Sequence, residues 1–497
     1  MRIVLVPLDE RPVSARLPGL VAAIAGAAVD GPPAEALPSV RRPGDVDLLS
    51  SWFAEAAANA DGAVVSLDAL GFGGLIPSRI GDEPLEQVLT RWSVLRGLDV
   101  PVHAAVVVPR SPDALDAFEE PEYWAQWGPS LHALSARLAD GDRAGRADRA
   151  EGAEPVPGEV RADWLRRRLR QHALGLAAVG LAADGTISRL FVGVDDAATR
   201  SLSAVAQAEL DAWTARLELR DRVVVGPGAD ETGAVLTARL LVDRLAGDTR
   251  PRVALACAEP DGLRRVAPYE TGPVGTTARA QVEAAGGVLV DEPAAADAVL
   301  VVHAPDGSRG DWAVAAPATT DDVAACRTAE LVARLLDGGA AVAVGDVAQP
   351  NGADPKLVRE LAATGAVARL DGYAAWNTAG NTLGTAAAHL VTAVVARRAG
   401  VFDEAAASRL VRLRLIEDFG YMSVARAALR RELGSPVDRH DRIDDPDAAS
   451  AFVAGRLGDA LVSIPGLGIG PVRPEHVRFP WGRSFEIALA DDSGGLP

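Results

Sequence analysis

The chain has 497 residues, which is enough for one large domain with additions or for two to three domains. Hydrophobic residues make up 48% of it and charged residues 24%, as in ordinary globular proteins. The formal net charge of −18 argues against nucleic acid and anionic membrane surfaces as partners. An acidic enzyme that acts on neutral or cationic small molecules fits this charge better.

Few side chains are available for cofactor or metal chemistry. Cys257 and Cys326 are the only cysteines, which is too few for a disulfide framework and indicates a reducing compartment. Lys356 is the only lysine, and no phosphate-binding glycine motif opens a helix. His103 and His303 are isolated and are predicted to be core or supporting residues. We therefore predict no cofactor and assign no metal ligands.

The amino-terminal segment and the hydropathy pattern bear on location. A short apolar run with one positive charge is followed at once by acids, which predicts a first strand and not a signal peptide. No uninterrupted apolar run approaches the roughly 20 residues of a membrane span. We expect a cytoplasmic protein without a membrane partner.

Short apolar runs of β-forming residues recur along the chain, and each is followed by a polar cluster and a helical pattern. The runs are residues 3–7, 63–66, 102–108, 190–194, 222–225, 253–256, 299–302 and 341–344. Eight βα units predict a TIM-type (β/α)8 barrel over residues 1–398. The alternative is a doubly wound fold of open α/β sheets. In either fold the polar clusters follow the carboxyl ends of parallel strands and lie on one face.

Two parts of the chain fall outside this repeat. Residues 112–186 form an insertion after the third strand, with helical patterns over residues 130–139 and 160–178. Between them, residues 140–159 are charged and contain Gly and Pro, which predicts a mobile loop that serves either as a lid or as a solvated surface loop. Residues 399–497 are predicted to be a mostly helical carboxyl-terminal extension.

The most informative stretch is residues 190–196, an apolar run that ends in Asp195 and Asp196. Acids that directly follow a parallel strand lie at the carboxyl end of the sheet, where the active sites of α/β enzymes are found. If both carboxylates reach one site, their repulsion raises the pKa of at least one of them and supplies a proton donor at neutral pH. The alternative is that one of them caps the next helix. We predict Asp195 and Asp196 as the catalytic residues.

Polar clusters also follow the first two predicted strands. Asp9 and Arg11 can pair with each other, and one of them can project into a cleft. Asp68 precedes a glycine-rich segment that ends at Arg79. Glycines there either let a ligand approach the backbone or form a tight turn. We predict that all four residues contribute to substrate binding.

Asp230 and Glu231 form a second acidic pair, after the fifth predicted strand. The run that follows them is plainly helical, so helix capping is favoured over catalysis. We keep both as candidate substrate-binding residues.

A segment rich in amides and aromatic rings follows the eighth unit. Sugar rings need planar hydrogen-bonding groups for their hydroxyls and an aromatic face for their C–H surface. The dipeptide of Trp376 and Asn377 supplies both, although a lone tryptophan usually belongs to a core. The predicted sugar-binding set is Asn351, Asp354, Trp376, Asn377 and Asn381. It predicts a small-molecule carbohydrate as the partner.

Four segments resemble a bacterial family that is defined only as a domain of unknown function. They are residues 6–13, 66–79, 345–354 and 376–384. This resemblance covers nearly the whole chain and implies no particular activity.

The order of motifs is also similar to that of the O-GlcNAcase-like family of retaining β-N-acetylglucosaminidases, which are TIM barrels. The shared features are the pair Asp195 and Asp196, the segment that starts at Tyr269, and Asn351 before a helix and then Trp376. Tyr269 is therefore also kept as a candidate substrate-binding residue. The resemblance implies that Asp195 orients the substrate's acetamido group and that Asp196 is the general acid/base. The chain departs from that family after the seventh strand, where residues 303–305 replace an asparagine-rich motif.

The resulting first hypothesis is a glycoside hydrolase, with an N-acetylhexosamine as the sugar if the second resemblance holds. A non-catalytic carbohydrate-binding protein is the first alternative. A metal-assisted hydrolase that uses scattered aspartates is the second.

Overall fold

A computed structural model describes residues 1–141, 156–247, 249–307, 310–314, 321–434, 441–462, 464 and 471–489. The chain divides into two compact units. Unit 1 comprises Met1–Ala15, Ala28–Leu236 and Tyr269–Thr271, and unit 2 comprises Arg16–Ala27, Thr237–Pro268 and Gly272–Pro497.

Unit 1 is built on a six-stranded sheet in which every strand pair is parallel. Its strands are β1 (Arg2–Val6), β2 (Ala28–Asp30), β3 (Gly62–Ser66), β4 (Val102–Val108), β5 (Arg189–Val194) and β6 (Val223–Pro227). They lie in the order β2-β1-β3-β4-β5-β6. The residues of β3 and β4 are buried at every position, as expected of strands covered on both faces.

Unit 2 has a five-stranded parallel sheet. Its strands are β7 (Arg252–Ala256), β8 (Val288–Val290), β9 (Ala298–His303), β10 (Ala341–Asp346) and β11 (Gly372–Ala374). Their order is β8-β7-β9-β10-β11. In each sheet, the strand that comes first in the chain therefore lies between the strands that come second and third. A short antiparallel pair, β12 (Val477–Arg478) and β13 (Ala488–Leu489), also belongs to unit 2.

Helices connect and cover these strands. In chain order they are α1 (Pro12–Ala15), α2 (Leu17–Ala23), α3 (Val46–Ala57), α4 (Leu67–Phe72), α5 (Leu75–Ile80), α6 (Leu85–Trp92), α7 (Trp124–Ala139), α8 (Gly158–Ala183), α9 (Leu202–Arg216), α10 (Thr232–Leu245), α11 (Val274–Ala284), α12 (Asp322–Asp337), α13 (Pro355–Ala363), α14 (Ala379–Ala399), α15 (Glu404–Arg414), α16 (Arg426–Leu433) and α17 (Pro446–Val462). A π-helix, Leu415–Ala425, joins α15 to α16. None of the helices in the described part of the chain is both long and apolar enough to span a bilayer.

The predicted α/β class with parallel strands is confirmed, and all eight predicted strands are present with ends within two residues of the expected ones. The closed barrel is not confirmed, because the strands lie in two open sheets, as in the alternative. The short strands β2 and β8 escaped the prediction. Each has three residues, none of them buried, so neither has the apolar run that marks a central strand.

The insertion after β4 contains α7 and α8, which include the two helical segments predicted there. Of the predicted loop over residues 140–159, residues 142–155 lie outside the described residues. The extension from residue 399 contains α15 to α17, as its helical pattern predicted. The division into units falls within α10 and not at residue 398. A separate domain over residues 399–497 stays a prediction.

Candidate functional site

The carboxyl edge of the unit 1 sheet gathers a dense set of charged side chains. Strand order reverses between β1 and β3, and ligand sites of open α/β sheets form at such a reversal. Asp9 and Arg11 follow β1, Asp68 follows β3, and Arg110 follows β4. Most of these side chains are buried, so each needs a charged or hydrogen-bonding partner.

Arg79 is at the centre of this set. It comes from the last turn of α5 and is 6% exposed. Its guanidinium donates to Asp195, which directly follows β5, and to Glu119 at 3.0 Å between Nη1 and Oε2. Glu120 lies 3.5 Å from the same Nη1. One arginine thus holds three carboxylates together, and it fixes the orientation of Asp195.

Arg110 bridges the same glutamates to Asp196. Its Nη2 donates to Glu119 at 2.7 Å and its Nε to Glu120 at 2.9 Å. Its Nη1 donates to Oδ2 of Asp196 at 3.2 Å. The side chains of Arg110 and Asp196 are 16% and 26% exposed, more than those of their partners. Asp196 is therefore the carboxylate of this network that solvent or a substrate reaches most readily.

Asp196 has a strongly perturbed acidity. Burial is the main cause, and the neighbouring charge of Asp195 adds to it, so that the pKa of Asp196 is raised to about 7. Asp230 contributes in the same direction, while Arg110 and Arg79 oppose the rise. At neutral pH the Asp196 carboxyl is therefore protonated in about half of the molecules. This is the condition for general acid/base catalysis near pH 7.

Arg11 forms a second buried ion-pair group. Its Nη2 lies 2.7 Å from Oδ2 of Asp9 and 2.6 Å from Oδ1 of Asp230. The predicted pairing of Asp9 with Arg11 is present, and Asp230 shares the same guanidinium. The effect of Asp230 on Asp196 places this group within electrostatic range of the first one.

Asp68 lies in the first turn of α4 and is 2% exposed. Its Oδ2 accepts a hydrogen bond from the amide of Val107 at 2.9 Å. Burial raises its pKa to about 7, against the opposing effects of this hydrogen bond and of Arg79. Asp68 is thus a second carboxyl of unit 1 that titrates near neutral pH.

The glycines that follow Asp68 serve the fold. A Cβ on Gly73 would lie 2.7 Å from the amide nitrogen and the carbonyl oxygen of Gly44, and one on Gly74 would lie 2.9 Å from the ring of Pro38. Both glycines have positive φ angles, 78° and 139°. The close approach here is between segments of unit 1 itself, so the turn explanation holds for these glycines.

Two cavities lie beside the charged network. One of about 30 Å³ is lined by Arg79, Arg110 and Glu120 together with the rings of Tyr123, Trp124 and Trp164. Another of about 250 Å³ lies between α8 and α9, with a mainly apolar lining that includes Leu165, Leu169 and Val205. Pro109, Arg168 and Gln171 line both cavities.

Tyr269 is brought to the same edge. Its carbonyl oxygen accepts a hydrogen bond from the amide of Ala197 at 2.9 Å, next to Asp196 in sequence. Its side chain is 44% exposed, and its φ of 67° is unusual for a residue with a side chain. The side chain is therefore accessible to a ligand, and the backbone of Tyr269 adjoins the residue that follows the acidic pair.

Unit 2 has a separate polar cluster at the carboxyl edge of its sheet. His303 and Asp346 end the neighbouring strands β9 and β10 and are paired in register. Nε2 of His303 lies 3.1 Å from Oδ2 of Asp354, and Nδ1 lies 3.0 Å from the hydroxyl of Thr328. The Tyr373 hydroxyl donates to Asp346 at 3.3 Å.

The acidities in this cluster are shifted as well. Burial, with the charge of Asp354, raises the pKa of Asp346 to about 6. Burial alone would lower the pKa of His303, but the hydrogen bond to Asp354 and the surrounding carboxylates raise it above its ordinary value. All five side chains of the cluster are at most 3% exposed. They resemble a satisfied buried network more than an open catalytic centre.

The predicted sugar-binding set lies entirely in unit 2. Asn351 and Asn377 have positive φ angles of 64° and 57°, and the Asn351 amide donates to the Asn377 carbonyl at 2.8 Å. Trp376 is 4% exposed, and Asn381 lies inside α14 with its side chain donating to Thr378. The ring of Trp376 is thus part of the packed interior and does not present a face to solvent.

The structure therefore brings part of the predicted site together. In unit 1 it gathers the residues Asp9, Arg11, Asp68, Arg79, Asp195, Asp196, Asp230 and Tyr269 around the carboxyl edge of one sheet. Glu231, 0% exposed, precedes α10 beside Asp230. The asparagines, Asp354 and Trp376 belong to the other unit.

Three charged residues of the unit 1 network were not predicted as site residues. Arg110 follows a predicted strand, as the predicted site residues do, so its position in the sequence could have identified it as a site residue. Glu119 and Glu120 lie in the insertion, where no local pattern shows that they return to the sheet edge. Their role depends on tertiary contacts with Arg79 and Arg110.

Comparison with known proteins assigns the chain to a family. It belongs to the family described as "Protein of unknown function (DUF4127)", whose model matches residues 3–490. This confirms the first of the two resemblances, and the O-GlcNAcase resemblance receives no support. Neither a curated protein nor a solved structure matches the chain.

Proposed function

We propose that this member of the DUF4127 family is a hydrolase that cleaves a glycosidic bond, with Asp196 as its general acid/base. The observation that carries the proposal is the partly exposed carboxyl of Asp196, whose pKa is about 7, directly beside Asp195, which Arg79 orients. A carboxyl that is half protonated at neutral pH can donate a proton to a leaving oxygen and take one from water in a later step.

The charge of the site supports a substrate without a negative charge. Acidic side chains outnumber the arginines in the unit 1 network, and each of the three arginines is already bonded to carboxylates. A phosphorylated or carboxylated substrate would meet repulsion there. A neutral sugar offers hydroxyls that carboxylates can accept from, and the exposed ring of Tyr269 offers an apolar face.

An N-acetylhexosamine is the first sugar to test within this proposal. In a substrate-assisted mechanism the acetamido oxygen attacks the anomeric carbon, and a fixed carboxylate orients the amide. Asp195, held by Arg79, would have that role. Asp196 would protonate the departing oxygen.

Neither alternative function gains support from the described residues. Trp376 and Asn381 of the sugar-binding set are buried, which does not favour a binding protein that relies on them. Within the described ranges, no three or more His, Cys, Asp and Glu side chains are grouped so that they could hold a metal ion.

Turnover of a panel of aryl glycosides, including the N-acetylglucosaminide, tests the proposal. The wild-type protein is expected to release the aryl alcohol from at least one member. Asp196→Asn is expected to lower kcat by roughly 10²–10⁴-fold while the fold, measured by circular dichroism, is unchanged. Asp99→Asn, at an exposed position of the same unit, is the matched control and should be fully active. The absence of turnover with every glycoside would overturn the proposal.

A further inference from the structure

Arg426 in unit 2 is a buried cation with unused hydrogen-bond donors. It is the first residue of α16 and is 3% exposed. Its guanidinium lies over the ring of Phe485, 4.8 Å from the centroid. Neither Nε nor Nη1 has a hydrogen-bond partner among the described residues. Burying a guanidinium without acceptors is costly, because the lost hydration is not replaced.

The acids near Arg426 are bonded to other groups. Asp311 and Asp441 both act on its charge through space. Oδ2 of Asp441 lies 2.6 Å from Nε of Arg430 and accepts from the hydroxyl of Ser484 at 3.0 Å, whereas its Oδ1 has no hydrogen-bond partner among the described residues. Asp311 accepts from the side-chain amide of Asn351 at 3.0 Å and from the amide of Ala313 at 2.7 Å. Among the described residues these two acids therefore compensate the charge of Arg426 at a distance, and none accepts a hydrogen bond from its Nε or Nη1.

Two further unpartnered polar atoms lie on the segment next to Arg426. They are Nε1 of Trp312, a residue 6% exposed, and Oδ1 of Asn351, a residue 5% exposed; neither atom has a hydrogen-bond partner in the described part of the chain. The amide of Trp312 donates to the carbonyl of Pro350 at 3.2 Å. Arg430, one helical turn after Arg426, donates to the carbonyls of Ala313 and Val314. These contacts hold Trp312 and Asn351 together and bring α16 to the same segment.

We propose that Arg426, Trp312 and Asn351 bind a small hydroxylated anion, whose carboxylate or phosphate oxygens accept from Arg426 and Trp312. Guanidinium and indole N–H groups can only donate, so the ligand must present acceptors, and an oxyanion also balances the arginine charge. The amide of Asn351 is oriented by its hydrogen bond to the Asp311 carboxylate, which leaves its oxygen to accept from a ligand hydroxyl. This site is independent of the proposed hydrolase, since none of its residues belongs to unit 1.

Calorimetric titration of the full chain with four probes tests this site. The probes are inorganic phosphate, glycerol 3-phosphate, gluconate and, as the neutral control, glycerol. At least one of the three anions is expected to bind saturably, and glycerol is not. Tighter binding of glycerol 3-phosphate than of gluconate would identify phosphate as the preferred group, and the reverse would identify carboxylate. The tighter of these two hydroxylated anions should also bind more tightly than inorganic phosphate. If none of the anions binds, the proposal is wrong.

Three variants locate the binding. Arg426→Met keeps an unbranched stem over Phe485 and removes the donors, so anion affinity should fall at least 10-fold. Its thermal midpoint without anion should equal or exceed that of the wild type, because the variant no longer buries a guanidinium whose N–H groups lack acceptors. Trp312→Phe removes a single N–H and should weaken binding by several fold, which gives a second readout if Arg426→Met does not fold. Arg359→Met, at an exposed position of α13, is the control and should bind normally. Equal binding by wild type, Arg426→Met and Trp312→Phe would overturn the proposal.

Discussion

At the scale of single residues, the proposed acid/base role of Asp196 predicts how the rate of glycoside turnover depends on pH. A general acid must hold its proton, so kcat/KM on an active glycoside should fall as the pH rises through about 7, the pKa to which burial and Asp195 raise this carboxyl in the free protein. In Asp196→Asn the residual activity should lack this descending limb. The measurement is the pH–rate profile of both proteins between about pH 5 and 9. A limb near pH 7 that persists in the variant would assign the titration to another group, for which Asp68 is the first candidate.

Asp68 has a predicted effect on stability that is separate from activity. Its folded pKa of about 7 exceeds the ordinary value of 3.8, so the folded state binds a proton that the unfolded state has lost between these pH values. The stabilisation from this proton is fully present below the unfolded pKa of 3.8, declines above it and is lost once the pH passes the folded pKa of about 7. Asp68→Asn keeps an oxygen that can accept from Val107 and removes the charge.

We therefore expect the stability of Asp68→Asn relative to the wild type to be greater at about pH 8 than at about pH 5, by roughly 1–3 kcal/mol. Urea unfolding at both pH values measures the two differences. Asp99→Asn, at an exposed site of unit 1, should show no such pH-dependent gain. A variant that is less stable than the wild type at pH 8 would show that the ionised carboxylate is needed by the fold.

Individual residues also show what the sequence could predict of the site. Asp195, Asp196, Asp9 and Asp68 were found because each stands directly after a recognisable strand. Glu119 could not be found this way, because it reaches Arg79 from an insertion and only the folded chain shows the contact. The asparagine and tryptophan segment has the composition of a sugar site, but composition cannot show whether a ring is buried.

At the scale of elements, the turn between α4 and α5 depends on Gly73. Its φ is 78°, and an added Cβ would lie 2.7 Å from backbone atoms of Gly44, which cannot move aside like a flexible side chain. Gly44 also donates to the carbonyl of Gly73 at 2.9 Å. Gly73→Ala should therefore destabilise the protein by at least about 2 kcal/mol, from backbone strain and overpacking together.

The matched control is Gly97→Ala. A Cβ at Gly97 would meet no atom within 4 Å, and the φ of this glycine is not in the left-handed region. Its stability should change by less than about 1 kcal/mol, with a gain expected from lower unfolded-state entropy. Denaturant midpoints of the two variants give the comparison. Similar midpoints would mean that the α4–α5 turn relaxes around the new methyl group.

The sequence predicted the individual strands better than it predicted how they pair into sheets. Central strands such as β4 have an apolar run that specifies them locally, and the predicted bounds, residues 102–108, agree with the structure. The choice between one barrel and two open sheets depends on which strands pair, and that pairing leaves no periodic signal in the chain. The edge strands β2 and β8, which would have pointed to open sheets, are too short and too exposed to recognise.

At the scale of the whole molecule, several buried or partly buried acids have raised pKa values while the chain has a strong negative charge. Burial raises the pKa of Asp68 and Asp196 to about 7 and that of Asp346 and Asp418 to about 6. Each of these carboxyls holds a proton in the folded state at pH values where the unfolded chain has lost it. The formal charge of −18 adds repulsion that also increases with pH.

Two histidines of the described part of the chain have shifted pKa values, and they affect stability in opposite directions. The pKa of His303 is raised by Asp354 and neighbouring carboxylates in spite of its burial, so its contribution is present below the unfolded pKa of about 6.5 and is lost above the folded one. Burial lowers the pKa of His389 to about 3, so the unfolded state binds the proton that the folded state lacks between about pH 3 and 6.5. One opposing histidine does not outweigh four carboxyls and His303.

The folded chain should therefore be more stable at about pH 6 than at about pH 8, in contrast to a protein whose acids are all stabilised as carboxylates. Between these values the folded state releases most of the proton from each of Asp68 and Asp196 and about half of one from each of Asp346 and Asp418, whereas the unfolded aspartates are already ionised at both. The measurement is the free energy of unfolding in urea across this range, at constant ionic strength. In the double variant Asp68→Asn/Asp196→Asn the decrease should be much shallower, because the two carboxyls that titrate near pH 7 are gone. A wild-type stability that rises from pH 6 to pH 8 would mean that these carboxyls are already ionised in the folded protein. Asp196 could then not act as a proton donor at neutral pH.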